Sequence, residues 1–166
     1  MKHRPRLGVV FDCNILFQAV ARKTGPAAAC LRLVEEGFVQ LRLSEEILTE
    51  LSGVLKGPTI RTRYPELTDE IVDDFLRGLR STAEITSDVP KRFSYPRDID
   101  DEPYLNLAIE AEANCLVSRD KDLLDLMTGH NNECKEFRQR FRSLTVIEPI
   151  EFLTAVRRYQ TEVEPD

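Results

Sequence analysis

Acidic residues dominate the positions at which this sequence can do chemistry. Asp12 directly follows a short apolar run, Asp120 follows another by two residues, and Glu50 lies in an amphipathic stretch between them. Asp98, Asp100 and Asp101 crowd one segment, and Asp122 stands two residues beyond Asp120. Carboxylate oxygens are the natural ligands of hard divalent cations, and gathered acids repel one another unless a cation or a proton offsets their charge. If these acids converge, they form a site for Mg²⁺ or Mn²⁺, one ion or two, and such a site suits phosphate. Other chemistries are poorly supplied. There are two histidines, His3 near the start and His130 in an expected loop, so a histidine pair acting without metal is not anticipated. The four cysteines, at 13, 30, 115 and 134, form no CxxC pair. Three of them sit inside apolar runs, where cysteine behaves as a small buried residue, and a reducing cytoplasm is the expected location.

The elements that must position these acids follow from periodicity and punctuation. Four short runs read as strands: Leu7 to Phe11, Val39 to Leu43, Asn114 to Ser118 and Leu144 to Glu148. Helical spacing is expected over 14 to 22, 26 to 36, 45 to 56, 68 to 83, 102 to 113, 121 to 127 and 150 to 159. Gly25 and Pro26 separate the first two helices, and Gly37 ends the second with an expected left-handed cap. Ser44 and Thr68 are placed to cap later ones, and Gly57 and Pro58 to close the third. The stretch from Ile85 to Asp98, with Pro90 and Pro96, reads as a surface connection. Strands alternating with helices predict an α/β fold, a three-layer α/β/α sandwich around a central, mainly parallel sheet.

The 166 residues suffice for one hydrophobic core, so a single domain is expected over 1 to 166, with its core at about 7 to 153 and short flexible termini. The start, Met1 to Arg6, is basic, but the apolar run behind it ends at Phe11, too short for a signal peptide or a membrane helix. A net charge of −6 argues against an electrostatically driven binder of bulk nucleic acid. It leaves room for a nucleic-acid enzyme whose acids surround metal. Arg61 and Arg63, or Lys135, Arg138, Arg140 and Arg142, are candidates to hold phosphates.

In open parallel sheets, ligands bind outside the carboxyl ends of the strands. Asp12 and Asp120 belong to that edge directly. Glu50 follows the second strand, and among the acids of its helix it lies nearest the stripe of Ile47, Leu48, Leu51, Val54 and Leu55. Asp101 begins the helix leading into the third strand. A crossover helix runs antiparallel to its strands, so that N-terminus opens onto the same edge. Each acid also has a plainer role: Asp12, Asp101 and Asp120 are good N-caps, and Glu50 can be a solvated helix residue. Their common placement favours a site, because independent caps need not share one crevice.

With these residues in hand, the sequence resembles the PIN-domain ribonucleases, especially the bacterial and archaeal group that includes toxins of toxin–antitoxin pairs. The resemblance is carried by VVFDCNILFQA at 9 to 19, LSEEILTELSGVL at 43 to 55, RDIDDEPYLNLAIEAEANCLVSRDKDLL at 97 to 124 and VIEPIEFL at 146 to 153. It implies that Asp12, Glu50, Asp101 and Asp120 hold catalytic metal, with Asn14 and Ser118 in support and Asp122 reaching a second ion. Asp98 or Asp100 remains an alternative to Asp101. Where family members commonly show glycine before the last aspartate, this chain has Arg119, a candidate phosphate binder. Where they show proline, it has Ile99.

The resemblance implies metal-dependent endonucleolytic hydrolysis of RNA, a toxin role with a cognate antitoxin, and a homodimer, with no membrane attachment. The helix from Thr68 to Ala83 has an apolar face (Ile71, Val72, Phe75, Leu76 and Leu79) that suits core packing or an interface. Two other readings compete. Aspartyl-phosphate chemistry also uses an aspartate after a first parallel strand, but Asn14 stands where its acid/base aspartate is needed. A scaffold of the same fold that binds RNA or protein without cutting is the other, although here every matched carboxylate is present.

Overall fold

The computed structural model describes residues 5–163. Five strands form its sheet: β1 (Leu7–Phe11), β2 (Val39–Ser44), β3 (Glu84–Thr86), β4 (Cys115–Val117) and β5 (Thr145–Ile147). Their order is β3-β2-β1-β4-β5, and every neighbouring pair is parallel. The helices are α1 (Cys13–Ala21), α2 (Pro26–Glu35), α3 (Glu45–Leu55), α4 (Pro58–Arg63), α5 (Asp69–Thr82), α6 (Glu102–Glu110), α7 (Lys121–Thr128), α8 (Asn132–Arg140) and α9 (Pro149–Val163). A kinked 3-10 turn, Pro96–Asp101, leads into α6.

The sheet is buried on both faces, as an all-parallel sheet must be. Val9, Val10, Phe11, Leu116 and Val117 are at most 1% exposed, which is why β1 and β4 read as unbroken apolar runs. Alternate residues of β1 serve opposite layers. Gly8 faces Ala113, just past α6, whereas Phe11 meets Phe152 of α9 edge to face at 6.0 Å. Helix α6 packs across β1, β2 and β4, and α2 and α9 pack on each other, with α2 reaching β2 and α9 reaching β4. This is the three-layer arrangement expected from the sequence.

Three elements escaped the sequence reading, and each hid its periodicity. The edge strand β3 overlaps the stretch expected to be a connection; it has three residues, none fully buried. Helix α4 starts at Pro58, which was expected only to close α3, and buries no residue. Helix α8 fills the gap between α7 and β5 but buries only Cys134 and Phe137. Helix α9 continues to Val163, and Val156 on it is 2% exposed, so packed structure runs beyond Leu153. The amphipathic α5 buries Val72 and Leu79 while Ile71 remains 45% exposed.

The caps stand where the residue types placed them. Ser44 accepts from the Ile47 N–H at 3.1 Å and Thr68 from Ile71 at 3.3 Å, and Gly37 has a φ of +80°. The four cysteines are free. Among the described residues no helix is long and apolar enough to cross a membrane. His3 lies outside the described residues.

Gly129 closes α7 for a steric reason. A Cβ on it would stand 2.7 Å from both the Asp125 carbonyl oxygen and the Cys134 Sγ. Gly129→Ala is therefore expected to cost ~1–3 kcal/mol of unfolding free energy, the usual range for overpacking. Urea titration checks this, and an unchanged midpoint would contradict the close approach.

Candidate metal centre

The strand order reverses direction between β1 and β4. Successive strands step one way from β1 through β2 to β3, and the other way from β4 to β5. Ligand crevices form outside the carboxyl ends at such a switch point. Phe11 is in register with Val117, so the first residues beyond both strands lie side by side.

Asp12 is 3% exposed and does two local tasks. Its Oδ1 accepts from the Ile15 N–H at 2.9 Å, capping α1, and its Oδ2 accepts from the Ser118 hydroxyl. Ser118 is fully buried, and its Oγ accepts in turn from the Asp120 N–H at 2.9 Å. One hydroxyl thus ties the acid after β1 to the acid after β4. Asp120 Oδ1 accepts from the Asp122 N–H at 2.8 Å, capping α7. Capping and site formation are therefore joined in Asp12 and Asp120: a carboxylate has lone pairs for both.

Asp101 behaves differently. It occupies the N-cap position of α6 yet makes no capping bond with its side chain. Its carboxyl lies beside that of Asp98 instead. Asp98 breaks the 3-10 turn with φ −147° and ψ 78°. Asp98, Asp101 and Asp120 each offer a carboxylate oxygen, and the three oxygens lie within 4.8 Å of one another. Of the three neighbouring aspartates considered for this position, Asp98 and Asp101 both belong to this group. Asp100 is exposed and acts on Glu50 across the rim.

Crowding is visible in the proton affinities. Burial, then the hydrogen bond that a protonated Asp101 can donate to Asp98, then the charges of Asp98, Asp12 and Asp120 push the Asp101 carboxyl up to about 9. Burial raises Asp12 against the lowering effect of Ser118 and Ile15, and the charge of Asp120 adds to it. Glu50, exposed on α3, is raised by partial desolvation of its carboxylate and by Asp100 and Glu46. Its charge also bears on Cys13 and Tyr104. A set of oxygen-only donors that must hold protons to coexist is the donor set a hard divalent cation fits.

Other expected site residues take different positions. Asn14 is exposed at the second position of α1. Asp122 Oδ1 accepts from Arg97 Nε at 2.7 Å, and Arg97 Nη2 also donates to Asp125 at 2.5 Å. The arginine thus anchors the 3-10 turn to α7 and occupies one oxygen of Asp122. Arg119 is exposed between Ser118 and Asp120. Of the basic candidates, Arg138 is turned to the carbonyls of Leu126 and Gly129, Arg140 to Glu136 and the Arg92 carbonyl, and Arg61 to Asp69.

Sequence reasoning missed the groups that aim the 3-10 turn. Asn106 of α6 accepts from the N–H groups of Arg92 and Phe93 at 2.8 and 2.9 Å and donates to the Phe93 and Glu102 carbonyls. Glu102 accepts from the Tyr95 N–H at 2.7 Å and pairs with Lys91. Tyr95 donates its hydroxyl to the Asp122 carbonyl at 2.5 Å. A buried asparagine and glutamate at a four-residue helix spacing were the available signal, since buried polar groups need partners.

A family model for the PIN domain matches residues 8–122, from β1 into α7. The chain belongs to the PIN-domain family. The matched span contains all of the acids gathered above, whereas β5, α8 and α9 lie beyond it. PIN domains are in general nucleases that use divalent metals, and the acidic group at the switch point offers oxygens that could hold one. A search of curated proteins finds no match to the chain.

Ser118 makes a testable contribution to this PIN-domain site. Groups that orient metal ligands typically contribute 10–100-fold to metal affinity or activity. Ser118→Ala removes the donor to Asp12 and the acceptor for Asp120 together. Mn²⁺ titration by calorimetry should show affinity lowered ~10–100-fold, with the domain still folded. Unchanged affinity would mean that the two aspartates need no such tie.

Proposed function

We propose that this PIN domain is an endoribonuclease that requires Mg²⁺ or Mn²⁺, with one or two ions held by Asp12, Asp101 and Asp120, Asp98 beside them, and Glu50 and Asp122 at the margin. The single observation carrying this reading is that Asp98, Asp101 and Asp120, from two distant segments, present three oxygens within 4.8 Å. Asp12 lies on the same edge, tied in through Ser118. A bound divalent ion supplies Lewis acidity toward a phosphate oxygen and makes water acidic enough to attack at neutral pH.

The chain's own residues supply orientation and charge. Ser118 holds the rotamer of Asp12 and the backbone of Asp120, so both carboxylates would already be in place to hold an ion. Glu50 has a raised proton affinity and stands at the rim, suited to accept the proton of the attacking water. The 3-10 turn, clamped by Asn106, Glu102 and Arg97, keeps Asp98 and Asp101 facing Asp120. The sequence resemblance supports a place among the toxins of toxin–antitoxin pairs, with a cognate antitoxin covering the crevice and a homodimer as the working unit.

Purified protein incubated with mixed cellular RNA should produce discrete new ends with Mg²⁺ or Mn²⁺ and none with chelator. RNA left intact in both metals would sink the ribonuclease reading.

A further inference from the structure

An acidic crevice repels the polyanion it is meant to cut, so cations beside it must hold the strand. Arg97, in the 3-10 turn that carries Asp98 and Asp101, is committed to Asp122 and Asp125. Arg119 is exposed and follows Ser118 directly. Its side chain makes no hydrogen bond or ion pair among the described residues, and neither does that of Arg22. Both line one cavity of about 170 Å³, together with Gln18 and Thr24 and the backbone from Gly25 to Ala27. No acid lines it, in a chain whose net charge is −6.

Two arginines that line one small cavity bring two guanidinium groups within reach of it, and guanidinium N–H donors match phosphate oxygens. Glutamine and threonine add neutral donors. Arg119 immediately precedes Asp120, so the loop that lines this cavity also carries one acid of the crevice. Arg22 comes from the other end of α1, whose first turn is capped by Asp12. The cavity and the crevice therefore share a helix and a loop.

We propose that Arg22 and Arg119 form a phosphate subsite, which holds a backbone phosphate neighbouring the scissile one and sets the register in which an RNA strand enters the crevice. This rests on the ribonuclease reading for the identity of the strand. The subsite holds one phosphate, between two arginines that act together.

The test uses the full chain, a fluorescent single-stranded oligouridine as probe, and chelator to prevent cutting. Anisotropy is followed across a salt series for wild type, Arg22→Ala, Arg119→Ala, the double variant, and Arg157→Ala on α9 as control. All positions are exposed, and matched melting temperatures verify folding. Each single variant should weaken binding roughly ten-fold and reduce the slope of log affinity against log salt by ~0.7, the value for one lost single-strand phosphate contact. The double variant should lose the same slope, because only one phosphate is released. Singles that bind like Arg157→Ala overturn the subsite, as does a double variant that loses twice the slope, which places the arginines on separate phosphates.

Cleavage in Mn²⁺ separates this proposal from the reading beneath it. If wild type cuts and the arginine variants bind and cut like the control, the subsite alone fails. If the arginine dependence of binding is seen but wild type leaves RNA intact, the ribonuclease reading fails and the phosphate site stands.

Discussion

Asp12→Asn is expected to reduce metal-dependent RNA cleavage to the level seen with chelator, and to erase the rise in melting temperature that Mn²⁺ gives the wild type. Asparagine at this position preserves the local cap. Its Oδ1 can still accept from the Ile15 N–H, and asparagine caps helices about as well as aspartate. Asp12 is 3% exposed and its proton affinity is raised by burial, so the substitution removes a charge that the folded protein holds at a cost. The domain should fold at least as well without metal. What it loses is the anionic oxygen beside Ser118, for which an amide is a poor replacement at a hard cation. A ligand at a hundred times its dissociation constant stabilises by about 2.7 kcal/mol, which for a domain of this size is roughly 5–10 °C. Differential scanning fluorimetry with Mn²⁺ should show that increment in wild type and none in the variant. An equal increment in both would mean that the ion is held elsewhere.

The second large effect is on pH. Without metal, stability should fall as pH rises from about 5 to 9. Asp12, Glu50 and Asp101 all hold their protons more tightly in the fold than ordinary carboxyls do, Asp101 up to about 9 from 3.8. Between the unfolded and folded pKa values the folded chain binds more protons, so raising pH favours the unfolded chain. Their stabilising contribution is complete below the unfolded value and lost as pH climbs through the folded one. Glu45 and Glu102 have lowered proton affinity, and their opposite effect lies below about pH 4.5, outside this window. Metal displaces the protons, so the increment from Mn²⁺ should grow with pH. Melting curves at pH 5, 6, 7, 8 and 9 with and without Mn²⁺ check both slopes. Asp101→Asn should flatten the metal-free curve, and a wild-type curve that rises instead would refute the crowding of these acids.

The match to the PIN-domain family spans the acids but stops within α7. The last strand and two helices complete the layers all the same. Phe152 of α9 packs on Phe11, the residue before Asp12, so the segment beyond the match buttresses the centre of the site.

Much of this was legible in the sequence. Buried parallel strands are apolar on both faces, so β1 and β4 announced themselves, and strand ends located Asp12 and Asp120 without any distance. Caps at Ser44 and Thr68 followed from residue type, because the oxygen that satisfies an N–H at a helix start is local. Elements that bury little stayed hidden: β3 at the sheet edge and α4 on the surface carry no apolar period. Other decisions required the tertiary fold. Asp98 and Asp101 share a site because a kink turns them together, Asp122 is drawn to Arg97, and the Ser118 hydroxyl joins two strands that are adjacent only in the folded sheet. Residue type and spacing record what each element buries and how it ends. Distances between carboxylates, and hence which of them must share protons or a cation, arise only when separate elements pack.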